Sequence, residues 1–309
     1  MKAYIGVDTS NYTTSAAAIF EDNSVVSVKI PLTVKAGEKG VRQSDALFMH
    51  TVNLPSAMKM LREKLNNAEI AAVGVSSRPR NVQGSYMPCF LAGVSAAHAA
   101  AEMLDVPLYE FSHQEGHVMA AFCESGHVID DYPEFVAFHV SGGTNDMLHV
   151  RWNGHNIEIS QLAASKDITA GQLIDRCGVM LGLNFPCGKE LEKLAHNADK
   201  IIKPRICVNN SECNISGAEN ICRDLLKNGE TKENIALYAL NFVHATLDAM
   251  LEQSGLADKM PVLFVGGVMS NLIIREKLSK KYNCFFAKPE FSCDNACGIA
   301  ELTRRRYNA

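Results

Sequence analysis

Along the 309-residue chain, short continuous apolar runs alternate with longer stretches whose apolar residues recur three and four apart. The first pattern predicts strands buried on both faces, and the second predicts amphipathic helices. Ala3 to Val7 is apolar, Asp8 to Thr14 is polar and rich in hydroxyls, and Ser15 to Phe20 is apolar again. With a third run at Val25 to Ile30, the opening reads as a three-stranded meander. Residues from Ser44 to Leu65 keep helical spacing, with Pro55 a point where the helix would bend. A strand at Ile70 to Val75, a small-residue helix from Pro88 to Leu104, a strand at Leu108 to Phe111 and a helix from His113 follow.

The same grammar restarts near Glu134. Phe135 to Val140, Asp146 to Trp152 and Asn156 to Gln161 read as strands around a Ser141 to Asn145 turn, with a helix from Thr169 to Leu181 behind them. Asn184 to Gly229, broken by Pro186, Gly188, Pro204 and Gly217, reads as an irregular insertion with short helices. A helix at Lys232 to Glu252, a strand at Val262 to Val265, a helix from Asn271, a strand at Cys284 to Ala287 and a last helix from Asp294 complete the chain. The expected domains are a first lobe over 1–130 and a second over 131–309, with an insertion at about 184–229. The last helix, about 294–306, is expected to pack back on the first lobe. The fold class that follows is α/β, a duplicated two-lobed actin-like ATPase of the sugar kinase, heat-shock chaperone and actin superfamily, with a turn from each copy meeting in a cleft.

Composition narrows the function classes. At 47% hydrophobic and 21% charged, the chain is long enough for two cores, and no window approaches eighteen consecutive apolar residues. Strand-like residues begin at Ala3, which leaves no room for a signal peptide, so a cytoplasmic protein with no membrane role is expected. The ten cysteines are scattered singly and are read as reduced and mostly buried, with Cys293 and Cys297 four apart as the one ordered pair. A net charge of −4 argues against nucleic acid binding over the whole surface. A tRNA would need a local basic patch or a basic partner. Lys35, Lys39 and Arg42, Arg78 and Arg80, and Arg304 to Arg306 are the candidate patches, each more ordinarily a solvated face.

His113-Gln114-Glu115-Gly116-His117 sets two imidazoles four residues apart, on one face of a helix, where they can share a cation once a third ligand is supplied. The glutamate does not sit where a metalloprotease motif needs it. Asp294, at the start of a helix, reads from sequence alone as an N-cap. The turn Ser141-Gly142-Gly143-Thr144-Asn145 offers open backbone N–H groups after a buried strand, suited to a phosphate or to nothing more than a hairpin. Asp8-Thr9-Ser10 takes the equivalent place in the first copy, and Gly266 and Gly267 end another strand before a helix.

Taken in order, these residues resemble the TsaD, or glycoprotease, family of tRNA threonylcarbamoyltransferases. His113 to His117 is similar to its HxxGH motif, and Gly6 to Ser10 and Val140 to Thr144 to its phosphate turns. Gly171 to Asp175 resembles its G-E-x-x-D segment, Leu181 to Gly188 its L-G-L-x-Y-P-G-G stretch, and Ile215 to Gly217 a remnant of F-S-G-L-K. Gly266 to Asn271 resembles G-G-V-x-x-N, and Ser292 to Ala296 the terminal C-x-D-N-A pattern.

The resemblance implies that His113, His117 and Asp294 hold one divalent iron or zinc ion. It implies an adenine nucleotide on Ser141, Gly142, Gly143, Asp175, Gly188, Gly266, Gly267 and Asn271. The reaction implied is transfer of threonylcarbamoyl from threonylcarbamoyl-AMP to the exocyclic amine of the adenosine next to the anticodon in tRNA. Asp8 is the candidate general base. An adenylate-forming enzyme and a paralogous subunit are the expected partners. The chain departs from the family at Asn11 to Thr13, where a cysteine and two acids are usual, and at Arg78 to Asn81. Asp167 alone remains of a pair of acids, and Gln172 replaces the glutamate. A non-catalytic nucleotide- and metal-binding paralogue acting as a complex subunit is therefore the alternative, ahead of a metallopeptidase or a small-molecule kinase.

Overall fold

The computed structural model describes residues 1–10, 12–33, 41–287 and 295–309, in two compact units. Met1–Pro133, Trp152–Glu158 and Glu290–Ala309 form the first, and Glu134–Arg151 with Ile159–Pro289 the second.

The first unit opens with β1 (Lys2–Asp8), β2 (Thr13–Phe20), β3 (Val25–Pro31), α1 (Gln43–Lys64), β4 (Glu69–Arg78), α2 (Phe90–Leu104), β5 (Leu108–Ser112) and α3 (His113–Ser125). Its sheet runs β3-β2-β1-β4-β5, with β1 antiparallel to β2 and parallel to β4. Six consecutive buried residues in β1 reflect cover on both faces, which explains the unbroken apolar run. On one face, Leu54, Ala57 and Leu61 of α1 and Ala92, Ala97 and Ala101 of α2 meet Ile5, Val7, Val73 and Val75. α1 continues through Pro55, which lies on the exposed side, so the expected bend does not end the helix.

The second unit repeats this plan with β6 (Glu134–Val140), β7 (Asn145–Trp152), β8 (Ile157–Ala164), α4 (Ala170–Met180), α5 (Gly188–Ala195), β9 (Cys207–Asn209), β10 (Glu212–Asn214), α6 (Ser216–Lys227), α7 (Lys232–Ser254), β11 (Val262–Val265), α8 (Leu272–Ser279) and β12 (Cys284–Phe286). Its sheet runs β12-β11-β6-β7-β8, the order of the first sheet with a meander edge followed by two parallel strands. Phe138, Phe264 and Phe286 stack across three neighbouring strands, with ring centroids 5.3 and 5.2 Å apart. The stretch expected to be irregular holds a small antiparallel hairpin, β9 with β10, besides its helices. Three-residue strands are too short to show alternation. Asn210 and Ser211, both at positive φ, make the two-residue turn that joins them.

α9 (Asn295–Tyr307) returns to the first unit and covers the other face of the first sheet, where Ala300 packs with Tyr4, Ile19 and Ala72. Its C-terminal arginines are occupied within that unit. Arg304 and Arg305 grip the buried Glu301 at 2.8 and 2.6 Å, and Arg305 also reaches Asp130 at 2.7 Å while lying over the Trp152 ring. Arg306 bonds Asn156. The run therefore staples a helix end rather than presenting an open basic patch. Among the described residues, no helix is long and apolar enough to cross a membrane.

Candidate active site

In the first unit the candidate residues gather where β1 ends and α3 begins. Ser112 caps α3 in a full capping box: its hydroxyl accepts from the Glu115 N–H, and the Glu115 carboxylate accepts from the Ser112 N–H at 2.6 Å. Glu115 is buried in that role, which takes it out of contention as a water-activating base. The cap sets His113 and His117 on successive turns, their ring centroids 4.2 Å apart.

His113 Nδ1 lies 2.7 Å from Asp8 Oδ2, while Asp8 Oδ1 accepts from the Ser10 N–H at 2.8 Å. Burial would push the Asp8 carboxyl up, but the His113 charge and these hydrogen bonds outweigh it and hold Asp8 well below the usual carboxylate range. Phe90 stands edge-on to His113 as an apolar wall. Nε2 of His113 remains for coordination, so the two histidines fit one cation, with Asp8 fixing the first ring behind it. Asp294 and Cys293 lie outside the described residues, as do Lys35 and Lys39. Among the described residues, no three metal-ligating side chains converge. The helix carrying the histidines also meets α9 closely: a Cβ on Gly298 would run into the Gly116 carbonyl oxygen.

Thr9 and Ser10 do not offer their hydroxyls as an open phosphate turn. Thr9 is fully buried; its Oγ1 donates to the Cys89 carbonyl at 3.0 Å and accepts from the Gly93 N–H at 3.1 Å, tying β1 to the start of α2.

In the second unit the eight candidate nucleotide residues lie on, or next in the chain to, segments that touch one another. The turn after β6 is open on its outer side, since a Cβ at Gly142 or Gly143 would meet nothing within 4 Å. Its N–H groups are less free than expected: those of Gly143 and Thr144 donate to Ser141 Oγ at 3.2 and 3.0 Å. An arriving anion would have to take over these donors. Gly171, at the start of α4, faces this turn so closely that a Cβ there would sit 2.6 Å from the Gly142 nitrogen. Thr169, the N-cap of α4, donates to the Gly142 carbonyl at 2.9 Å.

One turn further along α4, Asp175 Oδ1 accepts from the Cys187 N–H at 2.8 Å, holding Gly188 at the first position of α5. Glu192 of α5 accepts from the Leu272 N–H at 2.5 Å, and Asn271 caps α8 by accepting from the Ile274 N–H at 3.0 Å. Gly266, at φ +104°, brings the end of β11 against the Val140 carbonyl just before Ser141, with Gly267 next in the chain.

Glu192 has no signal in the sequence, and Thr169 and Cys187, though they lie within stretches the sequence marks, carry no assigned role there, because the contribution of all three is contact across elements. The remaining acid, Asp167, and the replaced one, Gln172, both have structural work. Asp167 accepts from the Ile215 and Ser216 N–H groups at 2.8 and 3.0 Å, capping α6, and Gln172 closes a capping box with Thr169.

A family model described as "TsaD: tRNA N6-adenosine threonylcarbamoyltransferase" matches residues 25–301. The chain belongs to the TsaD family. A Thermosipho melanesiensis protein named tRNA N6-adenosine threonylcarbamoyltransferase is 30% identical over 96% of this chain and 92% of its own length. Among solved structures, HypF of T. kodakarensis matches with a TM-score of 0.63 at 13% identity, over 99% of this chain and 47% of that one. Component A of the Acidaminococcus fermentans (R)-2-hydroxyglutaryl-CoA dehydratase matches with a TM-score of 0.58 at 13% identity, over all of both chains. At such identities the two structures speak for the fold alone, the actin-like ATPase architecture seen in the doubled sheet order.

Proposed function

We propose that this chain transfers a threonylcarbamoyl group from threonylcarbamoyl-AMP to N6 of the tRNA adenosine next to the anticodon, with one divalent iron or zinc ion. The observation that carries the reading is the His113 and His117 pair on one helix face, with Asp8 behind His113 Nδ1. Membership of the TsaD family supports it. His113 and His117, with Asp294 as third ligand, would hold the ion, whose chemistry is Lewis-acid polarisation of an acyl carbonyl. Asp8 then acts by holding the His113 proton at Nδ1 and the ring in place, rather than as the general base. Ser141, Gly142 and Gly143 would receive the adenylate phosphate. Asp175, Gly188, Gly266, Gly267 and Asn271 shape the adjoining backbone so that the nucleotide can approach closely. An adenylate-forming enzyme would supply the donor in the cytoplasm. A paralogous subunit or the Arg78 and Arg80 loop would help to hold the tRNA.

A second reading, a nucleotide- and metal-binding subunit without transferase activity, is favoured by the commitment of Asp167 and Gln172 to helix caps. The deciding experiment is metal analysis of anaerobically purified protein, wild type beside His117→Ala, followed by AMP calorimetry and a tRNA assay with the adenylate-forming enzyme. Near-stoichiometric metal lost in the variant, with modified tRNA formed only by wild type, is the expected result. Metal and AMP binding without modification of tRNA would select the second reading, and absence of metal from wild type would overturn the site.

A further inference from the structure

The segment that joins β4 to α2 differs from the rest of the chain in charge. Between Glu69 and Glu102 there is no aspartate or glutamate, in a chain that carries 34 of them, so Arg78 has no carboxylate nearby in sequence. It has none in space either: among the described residues its guanidinium donates only to neutral acceptors, Ser77 Oγ at 2.9 Å and Asn81 Oδ1 at 3.0 Å. Arg151, Arg176 and Arg223, by contrast, each lie on a glutamate. A guanidinium aimed by neutral partners keeps its full charge for an anion from outside.

The loop is closed on itself and anchored beside the helix that carries the two histidines. Arg78 ends β4 opposite Ser112, the residue before His113, and the Pro79 carbonyl accepts from the Gln114 N–H at 3.1 Å. The Arg80 N–H donates to Ser85 Oγ and the Ser85 N–H to the Val82 carbonyl, both at 3.0 Å, closing a tight turn with Gly84 at φ +80°. Met87 packs inward with Cys89 and Phe90, whose ring stands edge-on to His113. Asn81, Val82, Gln83 and Tyr86 are left outside, with Val82 65% and Tyr86 61% exposed. Open α/β sheets receive ligands at the carboxyl ends of their strands, so the loop borders the approach to the histidines.

An arginine without an acid, amide side chains and an exposed aromatic ring make up a surface for single-stranded nucleic acid: the guanidinium takes a phosphate, and the ring stacks on an unpaired base. A protein partner calls for an apolar centre, whereas here one ring and one valine stand among polar groups. We infer that Arg78 and Tyr86 form a platform for the anticodon loop of the substrate RNA, Arg78 on a backbone phosphate and Tyr86 against a base that neighbours the acceptor adenosine. The identity of the RNA rests on the transferase reading. The platform itself lies where the chain departs from the family pattern at Arg78 to Asn81, and its residues belong to neither the metal set nor the nucleotide set.

The test is fluorescence anisotropy of the full chain, over about 0.1 to 100 μM, with two labelled RNAs: an anticodon stem-loop with adenosine after the anticodon, and a continuous duplex of the same length. Wild type is expected to bind the stem-loop about tenfold more tightly than the duplex. Tyr86→Ala should weaken stem-loop binding about 10- to 100-fold, and Tyr86→Phe should restore it because the ring face is kept. Arg78→Ala should lower the slope of log affinity against log salt by about one, and Arg78→Lys should recover the slope. Wild type that binds neither RNA, or binds duplex as well as stem-loop, would overturn the platform. So would Tyr86→Ala with unchanged affinity. Metal and AMP titrations and the tRNA assay on the same samples keep the two readings apart. Stem-loop binding that depends on Tyr86, in a protein that holds no metal and modifies no tRNA, sinks the transferase and leaves the platform. Modification of tRNA with the same KM by wild type and Tyr86→Ala does the reverse.

Discussion

Asp8 Oδ2 lies 2.7 Å from His113 Nδ1, joining the end of the first strand to the first residue of a helix that begins 105 positions later. The bond uses one ring nitrogen and leaves the other to coordinate, so ring plane and tautomer are set before any ligand arrives.

Asp8→Asn should retain the fold and weaken metal binding about 10- to 100-fold, because an amide can satisfy the ring in the wrong tautomer. Titration of the full chain with zinc or ferrous iron reads this directly. Unchanged affinity would remove Asp8 from any positioning role.

Gly171→Ala puts a methyl group 2.6 Å from the Gly142 nitrogen, where backbone rather than a flexible side chain must give way. The expected cost is about 1 to 3 kcal/mol of stability. Displacing the turn should also weaken AMP binding more than the matched change Gly188→Ala, whose Cβ meets nothing within 4 Å. Calorimetry with AMP on both variants makes the comparison.

Partial burial pushes Asp167 up, but the Ile215 and Ser216 hydrogen bonds outweigh it, so its carboxyl titrates below the ordinary 3.8. A native pKa lowered in this way contributes stability above the unfolded value and loses it as pH falls through the native one. Asp167→Ala should cost about 0.5 to 2 kcal/mol at neutral pH through the lost α6 cap. Urea midpoints of variant and wild type should converge as the pH drops below 3.8. A constant gap down to the lowest pH would show that the carboxylate charge contributes nothing.

Arg305→Ala removes a partner from Glu301, whose side chain is 3% exposed, together with the Asp130 bond and the packing on Trp152. With Arg304 still in place, the expected loss is about 2 to 3 kcal/mol. Arg305→Lys should recover part of it. Chemical denaturation of the two variants decides whether the arginine run holds α9 down or is surface charge.

The sequence by itself determined the long elements and their repetition, though not the short β9–β10 hairpin. Continuous apolar runs marked β1, β4 and β6 because strands covered on both faces need no alternation. Three- and four-residue spacing marked α1 and α7 because one helix face is buried. It also determined the His113 and His117 pairing, since two residues four apart on a helix share a face whatever surrounds them. Only the tertiary structure decided what the polar groups do. Nothing in the local pattern tells that Asp8 closes on His113, that Thr9 turns inward to α2, or that Asp167 caps a helix nearly fifty residues later. A hydrogen bond depends on where two distant backbones are brought together, whereas the burial pattern of a strand or helix is written in its own period.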